Sequence, residues 1–135
     1  MTSEAAAYLD KARELLTQAV AMLGIHLNEA AGRTAYLAAF HSAQAFIFEC
    51  TGRALKSHQG VHTEFLRLTK DDRRFEPELR IFLSQSYHLK AIADYETGPD
   101  AKVSADRAAE AVAIATRLVA RTTEIIASSG SNSVA

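Results

Sequence analysis

An arginine and a histidine stand eight positions apart in the run Arg33 to Glu49, R-T-A-Y-L-A-A-F-H-S-A-Q-A-F-I-F-E. Together they are the smallest set of groups for metal-independent RNA cleavage. A neutral imidazole at His41 takes the proton of a 2′-hydroxyl, and the Arg33 guanidinium neutralises charge on the phosphate. On a helix this separation amounts to about 12 Å of rise and roughly 80° of rotation, so the two side chains do not touch unaided. They face one phosphate only if it lies along the helix or if a second subunit supplies one of them. The alternative stays open: a core histidine bonded to a neighbouring helix, and an arginine near a helix N-terminus reaching solvent.

Other combinations carry less. His58 and His62 are four apart, as in a zinc-binding H-E-x-x-H helix, but Gln59 stands where that motif needs its glutamate and Gly60 weakens a helix there. The expectation is that His58 lies in the turn and bonds the start of the next helix, with no metal. Arg53 and His58 are more tightly spaced but fall at a helix end. In Y-H-L-K-A-I-A-D-Y, Tyr87, Lys90 and Asp94 repeat at three and four residues and share a face. Asp94 is expected to pair with Lys90 or with a basic group on the second helix. Paired E-x-x-H repeats, which di-iron and di-manganese bundles require, are absent, as is a Gly-rich phosphate loop, so no cofactor is expected. Cys50 is read as a core residue with nothing adjacent to lower its pKa.

These groups need helices to hold them. The chain has 135 residues, 48% of them hydrophobic, with only 2 Pro and 6 Gly, a composition suited to one helical domain. Apolar spacing marks five helices. The first carries Leu9, Ala12, Leu16, Ala19/Val20 and Leu23, with Ser3 as N-cap. The second runs from about Glu29 to Thr51, ends at Gly52 and is apolar around most of its circumference, so it should be central. A short third carries Val61, Phe65, Leu66 and Leu68. The fourth begins at Glu76–Pro77 with the stripe Leu79, Phe82, Ser86, Leu89 and Ile92/Ala93. After the turn G-P-D-A-K (Gly98 to Lys102), Ser104 caps a fifth helix with the stripe Ala108, Val112, Ala115, Val119, Thr122 and Ile126. The expected fold is all-α, an up-and-down bundle of four long helices plus one short helix, spanning residues 1–127. A disordered polar tail is expected over 128–135.

Net charge is −1, which argues against a nucleic-acid binder held by bulk charge. The charge is uneven: residues 53–90 carry eight Lys/Arg against five acids, a local phosphate-attracting surface or an ordinary solvated face. The single cysteine cannot form an internal disulfide, so a reducing, cytoplasmic setting is expected. Neither a signal peptide nor a membrane span is expected. The N-terminus lacks a basic region before an apolar run, and Ala35 to Cys50 is too short and too polar to cross a bilayer.

Three blocks in order, A-Y-L-A-A-F-H-S-A-Q-A-F (Ala35 to Phe46), K-S-H-Q-G-V (Lys56 to Val61) and H-L-K-A-I-A-D-Y (His88 to Tyr95), resemble prokaryotic HEPN-domain proteins. The resemblance covers roughly residues 5–127. It implies an all-α bundle that forms a homodimer, often paired with a minimal nucleotidyltransferase in toxin–antitoxin systems. It also implies nucleotide or RNA as ligand, with Tyr36, Lys56, His58, Lys90, Asp94 and Tyr95 as binding residues. Active members are metal-independent endoribonucleases with an R-x4-6-H motif on a late helix. Here the last helix has Arg107, Arg117 and Arg121 but no histidine, Thr34 stands directly before the A-Y block with Arg33 one position earlier, and the late block has Lys90 and no arginine. The resemblance therefore points to a binding module, with a ribonuclease using His41 and Arg33 across a dimer as the alternative.

Overall fold

The computed structural model describes residues 1–98 and 101–134, the last six of them as backbone only. Five helices follow one another: α1 Ser3–Gly24, α2 Asn28–Thr51, α3 His58–Thr69, α4 Pro77–Tyr95 and α5 Ala105–Val134. No strand occurs among the described residues, so the fold is the expected all-α bundle of four long helices and one short one.

Helix α2 touches all four others and is the axis of the bundle. Its alanines at 31, 35, 38, 39, 43 and 45 are fully buried on several sides of the helix. Small side chains let neighbouring helices approach closely, while Tyr36, Phe40, Phe46 and Ile47 fill the space between. Phe46, Phe65 and Phe75 meet edge to face, with ring centroids 5.1–6.0 Å apart, and lock α3 and the α3–α4 connection onto α2.

Local chemistry sets the helix ends. Thr2, not Ser3, caps α1, its Oγ1 accepting from Ala5 N at 3.1 Å; the helix starts one residue earlier than expected, and Thr2 N donates to Glu49 Oε1 on α2. Gly52 ends α2 at φ 73°, a left-handed cap that a residue with a Cβ strains to adopt. Ser57 caps α3, its Oγ accepting from Gly60 N at 3.0 Å. A Cβ on Gly60 would lie 2.7 Å from that oxygen, so the glycine that seemed to weaken the helix makes room for its cap. Ser104 caps α5 through Arg107 N, and Val103 N donates to Glu29 Oε2, pinning the α4–α5 connection to α2. Of the expected turn over Gly98 to Lys102, Pro99 and Asp100 lie outside the described residues, while Ala101 N bonds Gly98 O across it.

Several core assignments shift. On α1 the buried stripe is Ala5, Leu9, Ala12, Leu15 and Ala19; Leu16 and Leu23 are half-buried, and Val20 is exposed. The α5 stripe is buried throughout. Cys50 is exposed near the end of α2 rather than in the core; partial covering of the thiol still raises its pKa, so it stays protonated. The backbone of α5 continues past residue 127 as helix to Val134; Ala135 and the side chains of residues 129–134 lie outside the described residues. No helix among the described residues is long and apolar enough to cross a membrane.

Candidate functional site

The side chains of α2, α3 and α4 converge on one hydroxyl. Tyr36 is wholly buried, and its Oη lies 2.7 Å from His58 Nδ1 and 2.6 Å from His62 Nε2. The helical period accounts for the pairing: His58 and His62, four apart on α3, present both imidazoles to the same point of α2. Tyr87 of α4 covers the group, its ring centroid 5.4, 5.1 and 5.5 Å from those of Tyr36, His58 and His62. Phe40 closes it from below, 4.6 Å from His58.

A hydroxyl has one hydrogen. Buried between two imidazoles, Tyr36 is satisfied by donating to one ring and accepting from the other, so the two tautomers are linked. Burial pushes the Tyr36 hydroxyl well above the ordinary tyrosine range, with Tyr87 adding to it. Burial lowers His62, with His58 adding to it, and burial lowers His58, with Lys90 and His41 adding to it. All three groups are therefore neutral at pH 7. His62 was expected as no more than a failed metal ligand and Tyr87 as a face-sharing residue. Their place in this cluster rests on contacts between helices, which chain spacing does not show.

Beside it lies a charged triad. Arg33 Nε donates to Asp94 Oδ1 at 2.6 Å and Lys90 Nζ to Asp94 Oδ2 at 2.8 Å, so Asp94 pairs with both partners expected for it. The Lys90 hydrogen bond, with that of Arg33 behind it, holds Asp94 below the usual carboxylate range, and the same bond raises Lys90. Two cations share one carboxylate, which leaves one positive charge uncompensated. Tyr95 completes this face: it is 77% exposed, with Lys90 Nζ 5.5 Å from its ring centroid. Lys56 is exposed on the approach to α3 and makes no hydrogen bond or ion pair among the described residues.

The structure separates Arg33 from His41. Arg33 is committed to Asp94, while His41 Nδ1 lies 2.7 Å from Gln44 Oε1. Gln44 Nε2 donates in turn to the Leu55 carbonyl at 2.8 Å, which fixes the amide so that its oxygen faces the imidazole. His41 therefore donates from Nδ1 and carries its lone pair on Nε2. Burial lowers its pKa against the opposing Gln44 bond, and Lys11 lowers it further. It lines a groove of about 380 Å³ with Tyr8, Lys11, Phe48 and Ala54.

The arrangement defines an antiparallel helical module whose central helix supplies a buried tyrosine to a pair of histidines on the short helix, beside a basic, tyrosine-flanked face. A family model described as HEPN domain matches residues 5–126, and the chain belongs to the HEPN family. No curated protein matches it significantly.

Proposed function

We propose that this chain is a HEPN-type binding module that takes nucleotide or RNA through its phosphate, without cleaving it. The observation that carries the reading is the triad Arg33–Asp94–Lys90 with its surplus positive charge, placed beside the exposed ring of Tyr95. A phosphate completes the charge balance, and a base stacks on the tyrosine. His58 lies near Lys90 of the same face, and Tyr36 lies beneath His58 and holds it in place. The module works as a homodimer and as one half of a two-component, toxin–antitoxin-like pair with a nucleotidyltransferase-type protein in the cytoplasm. Family membership and the exposed apolar side chains Val20, Ile25, Leu27 and Ile81 support that reading. Titration of a short single-stranded RNA tests the ligand: Lys90→Ala and Tyr95→Ala should each weaken binding about tenfold, the scale of one phosphate contact or one stacked base.

A second reading is favoured by the fixed tautomer of His41. With Nδ1 given to Gln44, its Nε2 is a free base, as a metal-independent endoribonuclease requires, and Arg33 of a second copy would be the phosphate clamp. RNA incubated in EDTA separates the two. Cleavage by the wild type that is lost in His41→Ala and Arg33→Ala establishes the nuclease; intact RNA beside a folded protein leaves the binding module.

A further inference from the structure

We infer that the outward Nε2 of His58, with Lys90 beside it, is a subsite for a terminal phosphate, so that phosphomonoesters are bound in preference to phosphodiesters and bring one proton onto His58. The inference rests on reading this face as a phosphate-binding surface.

The hydrogen bookkeeping around Tyr36 allows two arrangements, and one of them leaves His58 ready to take a proton. When Tyr36 donates to His62 Nε2, its oxygen accepts from His58 Nδ1–H, and His58 Nε2 is left bare; it has no hydrogen-bond partner among the described residues. A proton arriving there makes an imidazolium whose other N–H is already bonded, and nothing beneath it has to move. Protonation of His62 instead would place the charge in a buried position and reverse both Tyr36 hydrogen bonds. His58 is faced from α2 by Tyr36, Phe40 and His41, from its own helix by His62, and from α4 by Tyr87 and Lys90. None of these is a carboxylate, and Asp94 of α4 is already shared by Arg33 and Lys90. Among the described residues, the protein thus supplies no anion for a His58 imidazolium. A ligand must.

A phosphodiester carries one negative charge, which the surplus charge of the triad meets. A terminal phosphate carries nearly two at pH 7, its second pKa being about 6. The second charge is met at this face by the His58 imidazolium, whose pKa it raises on binding. The cost of protonating the free imidazole is then repaid only by a dianion.

Calorimetric titration of adenosine 5′-monophosphate and adenosine 3′,5′-cyclic monophosphate, which share base and ribose, tests this. The monophosphate should bind about tenfold more tightly at about pH 7, gain affinity as pH falls toward about 6.5, and take up close to one proton, read from the heat in buffers of different ionisation enthalpy. The cyclic diester should take up none. His58→Gln, which can still hydrogen-bond but does not titrate, should bring the two ligands to equal affinity and abolish the uptake; Tyr36→Phe should reduce the uptake while leaving the imidazole in place. Equal affinities in the wild type, or proton uptake that persists in His58→Gln, would overturn the subsite. If both ligands bind equally but weaken with Lys90→Ala and Tyr95→Ala, the subsite fails and the phosphate-binding surface stands. If neither binds, both fail.

Discussion

Tyr36 is the residue on which the candidate site turns, because its single hydrogen serves two imidazoles. Tyr36→Phe keeps the ring and its packing but leaves two buried or half-buried nitrogens without their shared partner. It should lower the stability measured by urea unfolding by about 1–3 kcal/mol, the cost of unmade buried hydrogen bonds; an unchanged midpoint would mean that water replaces the hydroxyl. The same cluster gives stability a pH dependence of known sign. Burial holds His58 and His62, and also His41, below the ordinary histidine value, so the unfolded chain binds protons that the folded chain does not. Stability should therefore be complete above about pH 7 and fall as pH drops through about 6.5 toward the depressed folded values. Urea midpoints across that range measure it, and a midpoint that rose on acidification would contradict the assignment.

At the scale of the element, two helical glycines have opposite roles. Gly60 leaves room for the Ser57 hydroxyl that caps α3, and a Cβ there would sit 2.7 Å from it. Gly60→Ala should cost about 1 kcal/mol, the value of an N-cap. Gly32 lies inside α2, where a Cβ would meet Leu89 Cδ1 at 3.5 Å, an ordinary van der Waals distance. Gly32→Ala should stabilise the protein by roughly 0.5–1 kcal/mol, because alanine loses less backbone freedom in a helix. Thermal unfolding of the two variants should shift the midpoint in opposite directions. Both glycines are visible in the sequence, but their signs depend on what lies across from them. The helices themselves were legible, since apolar spacing and the markers Gly52, Pro77 and Ser104 are local signals. The α1 stripe was misplaced by one position at Leu15, because leucines at 15 and 16 flank the same face and α2 decides between them. Cys50 was misplaced for a similar reason: an apolar neighbourhood in sequence does not show which side of a helix its neighbours cover.

Over the whole molecule, one central helix carries both the core and the site. Phe65 is fully buried against Phe46 and Phe75, and Phe65→Ala should cost about 3–5 kcal/mol by denaturant unfolding, with α3 and its histidines lost along with the rest of the fold. The pairing of Asp94 with a basic group of the second helix could be anticipated, because an acid on α4 beside the central helix has few other partners. The junction of Tyr36 with His62 could not: it depends on how α3 lies against α2, over a chain separation of 26 residues. In the proposed function, the surplus charge of the Arg33–Asp94–Lys90 triad binds phosphate. Titration of a short RNA into Asp94→Asn and Lys90→Ala tests it most directly. Removing the acid should strengthen binding and removing the lysine should weaken it, both effects shrinking in high salt. Equal affinity in the two variants and the wild type would contradict the claim.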